Sequence, residues 1–410
     1  MTGTVEISGS KNACLPILAA ALLSDEKSVI KNASTLRDIS TMVKILKNLD
    51  VKAKQEGDVV TIEPAGYKKF TAPYDLVSTM RASICVLGPL LGKKRRAEVS
   101  FPGGCVIGPR PIDIHLKGLR ALGVEIKVEK GYIMADARKM RGGHVYLGGH
   151  FGSSVLATAN VMMAAVLAKG VTVIENAACE PEVVDLTHFL IKMGAKIKGH
   201  ATHRIIIEGV RSLHGAEHTV IPDRIEAGTY MIAAAITKGD ITLKNAKPDH
   251  MIAFIDKLEE AGLSVKKVPS GLRVRYIKKL KPLDITTLPY PGFPTDIQAQ
   301  MMSLMTVTDG ISVITEKIYP ERFIHISELN RMGADIILEG ATAIIKGVRH
   351  LSGAPVMASD LRASAALVLA GLVAKGRTEV HRIYHLDRGY ERLEEKLAVL
   401  GAKVWREKEK

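Results

Sequence analysis

Residues Phe101-Pro102-Gly103-Gly104-Cys105-Val106-Ile107-Gly108-Pro109-Arg110-Pro111 put a thiol and a guanidinium into one glycine-rich loop. Glycines without side chains let a ligand approach the backbone closely. Pro111 suits the first turn of a helix, where its missing N–H would have been unpaired in any case. Ile112, Leu116 and Leu119 then recur at helical spacing. A thiol and an arginine beside a helix N-terminus suit a nucleophile or acid next to an anion site. The same residues also make an ordinary turn with a cysteine that merely packs, so the rest of the chain has to decide.

Polar and charged residues gather at other predicted helix starts. They are Ser8-Gly9-Ser10-Lys11-Asn12, Arg81 after Ser78-Thr79-Met80, Gly152-Ser153-Ser154 and Pro222-Asp223-Arg224. Phe293-Pro294-Thr295-Asp296 and Asp360-Leu361-Arg362 follow, and Asp387-Arg388-Gly389 is expected to open a further helix. Any one of these reads as a helix cap or a first-turn carboxylate complementing the dipole. Several with Lys and Arg beside them, converging on a cleft, would hold a small substrate bearing phosphates or carboxylates.

The elements that position them repeat. A helix ending in apolar-Gly-apolar and entering a strand occurs at Gly123, Gly194, Gly262, Gly333 and Gly401, with a degenerate copy at Asp50. The steps between these positions are 73, 71, 68, 71 and 68 residues. Glycine terminates a helix in the left-handed conformation. On the same beat, Ala-rich helices run into Val/Ile/Thr strands, as from Ala164 to Ile174, Ala233 to Leu243 and Val368 to Val380. Six α/β units of about seventy residues exceed solenoid periods, which run to ~50 residues. Two domains of three units each are expected, meeting near Pro222, with a cleft between them.

Composition narrows the classes. The chain has 410 residues, 57 Lys plus Arg against 43 Asp plus Glu, and a net charge of +14. That favours anionic partners. Aromatics are only 4% and are not interleaved with basic runs, which argues against nucleic acid. Lys93-Lys94-Arg95-Arg96 reads as a solvated loop. Cys14, Cys85, Cys105 and Cys179 show no metal or disulfide spacing, so reduced thiols and a cytoplasmic protein are expected. No signal peptide is apparent and apolar runs such as residues 363–374 are too short for a bilayer, so no membrane insertion is expected. There is no Walker loop, no strand followed by GxGxxG and no HExxH. His144 and His150 sit six apart in a Gly-rich stretch and read as structural. No metal and no cofactor are expected.

Four segments together resemble a known family. Ile7-Ser8-Gly9-Ser10-Lys11-Asn12-Ala13, the loop from Pro102 to Pro111, Phe293-Pro294-Thr295-Asp296 and Leu386-Asp387-Arg388-Gly389-Tyr390 are similar to the enolpyruvyl transferases, and among them to the UDP-N-acetylglucosamine 1-carboxyvinyltransferases. The similarity runs in uninterrupted order from Gly3 to the C-terminal region. It implies an α/β fold of two inside-out α/β barrels, each of three βαβαββ units. One domain would be residues 11–221, and the other would combine 1–10 with 222–410. The implied partners are phosphoenolpyruvate and UDP-N-acetylglucosamine, and the implied reaction opens peptidoglycan synthesis. A monomer or weak homo-oligomer is expected.

The reaction needs an acid to protonate C3 of the enolpyruvyl group, a base for the sugar hydroxyl and fixed cations for the phosphate and carboxylate of the adduct. The resemblance implies Cys105 as the cysteine of acid chemistry or product release, which fosfomycin alkylates in this family. It implies Asp296 as the base, and Lys11, Arg110 and Arg388 as the groups holding phosphoenolpyruvate. Arg81, Arg322 and Arg362 match further cationic positions. Asn12, Ser154, Val155 and Asp296 match contacts to the UDP-sugar, and Pro111 is a further expected substrate-binding position. Leu156, Gly152 and Tyr319 differ from residues common in the family. Three rivals remain at this point: the sister enzyme acting on shikimate 3-phosphate, a non-catalytic UDP-sugar-binding paralogue, and an RNA-end enzyme built from related units. Asn12 and Cys105 favour the UDP-sugar enzyme over the first. The retention of Lys11, Cys105, Asp296 and Arg388 argues against the second, and the low aromatic content against the third.

Overall fold

A computed structural model describes residues 1–103 and 112–407. The sixfold punctuation is present in the backbone. Gly123, Gly194, Gly262, Gly333 and Gly401 have φ of 83°, 101°, 112°, 86° and 93°, and Asp50 follows at 67°. Only Gly, and sometimes Asn or Asp, visits this region readily, so each helix stops there and the chain turns back. Strands follow five of the six stops: Lys52–Glu56, Glu125–Glu129, Lys196–Lys198, Leu263–Val268 and Asp335–Glu339. After Gly401 residues 402–407 form no strand, which departs from the expected repeat.

The chain divides into two compact units. One contains Met1–Ser8 and the chain from Pro222 onward; the other runs from Gly9 to Ile221. The unit beginning at Gly9 has three four-stranded sheets of one design. Glu217–Thr219 lies parallel to Ser28–Lys31, which pairs antiparallel with Val59–Glu63 and so leads to Lys52–Glu56. Thr71–Ala72, Arg96–Ser100, Tyr132–Asp136 and Glu125–Glu129 repeat the pattern. So do His144–Tyr146, Val171–Glu175, Arg204–Glu208 and Lys196–Lys198. In the other unit the first sheet opens with the chain's own N-terminal strand: Thr2–Glu6 runs parallel to Asp240–Lys244, followed by Gly271–Tyr276 and Leu263–Val268. A second sheet joins Asp284–Thr286, Ile311–Thr315, Thr342–Lys346 and Asp335–Glu339. The sixth repeat keeps only its parallel pair, Pro355–Met357 with Glu379–His381.

A helix leads into one strand of each parallel pair; it lies on the crossover between the two strands in every pair but Ser28–Lys31 with Glu217–Thr219, where Lys11–Ala20 precedes both. The unit from Gly9 uses Lys11–Ala20, Leu87–Lys94 and Val155–Ala165; the other uses Arg224–Ile236, Gln298–Thr306 and Leu361–Gly371. These helices carry apolar and small residues nearly all round, the pattern of a helix buried on every side. Gln298–Thr306 is buried at every position and Arg224–Ile236 at every position after Arg224. Within each unit they pack on one another, and the outer strands alternate buried and exposed residues, as in Arg204–Glu208.

Small residues bring the helices close. A Cβ on Gly88 would lie 2.3 Å from the Asn160 carbonyl oxygen. Instead, the Gly88 N–H donates to Asn160 Oδ1 at 2.7 Å, and Asn160 Nδ2 donates to the Ile84 carbonyl at 3.1 Å. A buried amide with both ends bonded fixes the register of the Leu87 and Val155 helices without leaving polar atoms unmade.

The basic run is not a solvated loop. Lys93 and Lys94 end the Leu87–Lys94 helix, Arg95 takes the left-handed conformation, and Arg96 begins a strand. The Lys94 ammonium donates to the Tyr67 carbonyl and sits 3.8 Å from the centre of the Tyr67 ring. Arg95 Nη2 donates to the Leu167 carbonyl at 2.6 Å. Cations are stabilised at a helix C-terminus, where carbonyls are left over. Among the described residues no helix is long and apolar enough to cross a membrane.

Candidate active site

In the unit carrying the C-terminal half, Thr295–Ile297 forms a single 3-10 turn before the Gln298 helix. That turn presents Asp296. Asp296 Oδ1 accepts from Arg322 Nη1 at 2.8 Å, and Oδ2 accepts from Arg362 Nη2 at 3.1 Å. The two arginine side chains are 6% and 4% exposed. Arg362 stands in the first turn of a helix capped by Asp360, whose Oδ1 accepts from the Arg362 and Ala363 N–H groups at 2.8 and 3.2 Å. The Arg362 guanidinium lies 5.5 Å from the centre of the Tyr390 ring. The Tyr390 hydroxyl is bonded to Thr229 Oγ1 and Gln300 Nε2, both at 2.9 Å, and Gln300 Nε2 also donates to the Asp296 carbonyl.

The electrostatics follow from this enclosure. Burial alone would raise the Asp296 carboxyl, but Arg362 and Arg322 outweigh it and hold it well below the usual carboxylate range. Asp296 is therefore ionised throughout the working pH range. Burial of Arg322 is outweighed by Asp296 and Asp360, which hold it charged. Burial pushes the nearby His325 imidazole down to about 4, against the pull of Asp360. Arg322 Nε and Arg362 Nη1 are buried N–H groups with no acceptor in the described structure. Two desolvated guanidinium donors around one carboxylate are a ready site for an anion.

Arg388 does not begin a helix as expected. It closes the 3-10 turn Ile383–Arg388, and the following helix starts at Leu393. Arg392, left-handed at φ 47°, caps that helix and delays it. A Cβ on Gly389 would lie 2.4 Å from a Leu361 methyl. The chain after Arg388 is thereby pressed against the residue preceding Arg362.

The other expected residues described here lie in the unit from Gly9. Lys11 opens its helix behind Ser10, whose Oγ caps it, and Asn12 follows, half-buried. Lys11 Nζ pairs with Asp38 Oδ2 at 3.1 Å, with side chains 12% and 4% exposed. Arg81 opens the 3-10 turn Arg81–Val86. Burial first and Arg81 second push the His115 imidazole down to about 3. Ser154 caps the helix that Val155 begins. The loop of Cys105 can be followed to Gly103, where a Cβ would lie 1.8 Å from the Ser78 carbonyl oxygen. Cys105, Arg110 and Pro111 lie outside the described residues. Among the described residues no cluster of His, Cys, Asp or Glu is arranged to hold a metal.

Residues 1–397 match the family model described as EPSP synthase (3-phosphoshikimate 1-carboxyvinyltransferase). The chain belongs to this family. Within the EPSP synthase family its similarity is high to UDP-N-acetylglucosamine 1-carboxyvinyltransferase 1 of Caldanaerobacter subterraneus subsp. tengcongensis, with 55% identity over 406 residues, 99% of this chain and 97% of the relative. The UDP-N-acetylglucosamine 1-carboxyvinyltransferase of Myxococcus xanthus is 55% identical over 410 residues, again 99% and 97% of the two chains. Among solved structures, the enolpyruvyl transferase NikO from Streptomyces tendae superposes with a TM-score of 0.88 at 24% identity, over 98% of this chain and 95% of that one. EPSP synthase from Acinetobacter baumannii gives 0.76 at 17%, over 98% and 96%. These two share the mixed α/β fold.

Two further features belong to this member of the EPSP synthase family. The described cysteines are poor nucleophiles: Cys14 and Cys85 are fully buried, and burial pushes both thiols up, Cys85 to about 12. Cys179 is also buried and raised. And sequence reasoning missed the support around Asp296. Tyr390 is visible in the sequence only as part of a motif, and Gln300 not at all. Their partners come from segments far apart in the chain, which no local pattern reports.

Proposed function

We infer that the protein transfers the enolpyruvyl group of phosphoenolpyruvate to the 3′-hydroxyl of UDP-N-acetylglucosamine and releases phosphate, the first committed step of peptidoglycan synthesis. The relatives at 55% identity bear the name of that activity. The observation that carries the reading is the Asp296 carboxylate clasped by two buried guanidinium groups that still have N–H donors to give. Each unit reads as an inside-out barrel, with helices inside and sheets outside.

The sugar O–H adds across the C2=C3 bond of phosphoenolpyruvate: oxygen joins C2 and a proton joins C3. The tetrahedral adduct then loses phosphate from C2 and a proton from C3, which restores the double bond. Asp296 takes the hydroxyl proton in this scheme. In the free protein its two arginines keep it a weak base. An anionic substrate that engages Arg322 and Arg362 competes for them and raises the basicity of Asp296 as the substrate arrives. Lys11, Arg110 and Arg388 hold the phosphate and carboxylate, and Arg81 adds positive charge. Asn12, Ser154 and Val155 bind the UDP-sugar, Pro111 is a further substrate-binding residue, and Cys105 serves the acid chemistry or product release. No step calls for a metal or cofactor. Phosphoenolpyruvate and UDP-sugars are made in the cytoplasm, where free thiols persist.

The test is phosphate release on mixing the protein with both substrates. Release is expected with UDP-N-acetylglucosamine and not with shikimate 3-phosphate as acceptor. UDP-sugar binding without release would favour the non-catalytic alternative. Asp296→Asn keeps the shape and removes the base, so kcat should fall by roughly 100-fold or more. Unchanged kcat would remove Asp296 from that role.

A further inference from the structure

We propose that Glu316 is a positioning residue for this reaction, setting the place of Arg322 and through it of Asp296; the proposal rests on the activity inferred above. Glu316 follows the strand Ile311–Thr315 and is 0% exposed. Its carboxylate accepts four hydrogen bonds. Oε1 takes the Thr287 hydroxyl at 2.6 Å and the Ile318 and Tyr319 N–H groups at 2.8 and 3.0 Å. Oε2 takes the Thr295 hydroxyl at 2.8 Å. The Thr295 oxygen in turn accepts from Arg322 Nη1 at 3.0 Å, and the same nitrogen donates to Asp296.

The direction of this chain matters. A guanidinium can only donate, so Thr295 Oγ1 accepts from Arg322 and turns its hydrogen elsewhere. Thr295 has one hydroxyl hydrogen, and Glu316 claims it. The lone pairs of Thr295 Oγ1 are then left for Arg322, so the arginine is held from a second side while it holds Asp296. The two amide bonds at Ile318 and Tyr319 bend the segment that leads to Arg322 into the same arrangement. A buried carboxylate is costly unless fully bonded, and here both oxygens are bonded. The geometry assigns this side chain a use: it fixes both the Asp296 turn and the Arg322 segment.

Misplacing a reacting group by about 1 Å can cost on the order of 100-fold in rate. Glu316→Ala should therefore lower kcat by roughly 30- to 100-fold while KM for phosphoenolpyruvate moves by less than about threefold. Glu316→Gln should recover kcat to within about fivefold of the parent, because its amide oxygen can take the same N–H groups and its amide nitrogen can donate to Thr295. Thr295→Val breaks only the bridge and should cost about tenfold. Added to Glu316→Ala it should cost little more, since coupled residues are not additive. Parent-like kcat in Glu316→Ala overturns the proposal, as do additive losses or a failure of Gln to rescue. If Glu316→Ala does not fold, parent-like kcat in Thr295→Val overturns it. A crystal structure of a folded variant needs no turnover. Arg322 should leave Asp296 in Glu316→Ala, or shift in Thr295→Val, and an unmoved ion pair sinks the idea even if the parent transfers no enolpyruvyl group.

Discussion

Asp296 is at once clasped by two buried arginines and, while they remain, a poor base. On the function proposed above, this tension makes the site responsive to an anionic substrate rather than merely complementary to it. Cysteine chemistry is selective at the same scale. Of the four cysteines, the three described are buried with thiols pushed up, and thiolate character governs reactivity. Cys105 lies in the glycine-rich loop beside Arg110. Fosfomycin should therefore add once per chain, at Cys105, with loss of phosphate release. Cys105→Asp should take no label in intact-mass measurements. Labelling at Cys179 would contradict the argument. The site was legible in sequence only in part. Asp296, Arg322 and Arg362 could be chosen through the family resemblance, but their shared hydrogen bonds could not, because Arg322 and Arg362 are far from Asp296 along the chain. Glu316 gave no signal for the same reason.

Elements are tied together by a second buried charge. Glu226 on the Arg224–Ile236 helix accepts from Lys396 Nζ and from the Ser8 N–H, both at 2.7 Å, and Lys396 also donates to Ser8 Oγ at 2.7 Å. One ion pair thus joins a core helix, the Leu393–Val399 helix and the end of the N-terminal strand. Burial, opposed by Lys396, pushes Glu226 up to about 7. A carboxyl raised in the folded state binds its proton more tightly than in the unfolded chain, so stability falls as pH rises from about 4.3. Lys396→Met removes the compensating charge and raises Glu226 further. It should destabilise by roughly 3 kcal/mol at pH 8, and the deficit should shrink on going to pH 5, where Glu226 is protonated. Urea unfolding at the two pH values measures this; an equal deficit at both would refute it. The repeats were readable at this scale because a left-handed stop restricts residue type at one position. Arg388 was not, because a 3-10 turn and a helix start share the same polar residues.

For the whole molecule, the covalent order and the strand order disagree. The unit from Gly9 contains every strand of its own three sheets, including Glu217–Thr219. The other takes its first strand, Thr2–Glu6, from the far end of the chain. Residues 9–221 should therefore fold alone in a single cooperative thermal transition. Residues 222–410 alone should melt lower or aggregate, and a peptide of residues 1–8 added in trans should raise that melting temperature. No effect of the peptide would mean that the strand is dispensable.

The same pairing has a consequence in time. Thr2–Glu6 leaves the ribosome well before its partner Asp240–Lys244, which is made some 240 residues later. At ~5–20 residues per second that is a wait on the order of ten to fifty seconds. During it the strand has two open edges beside a growing chain. Its shortness and its Glu6 keep such an edge from pairing elsewhere. Residues 2–6 are thus made long before they can find their place.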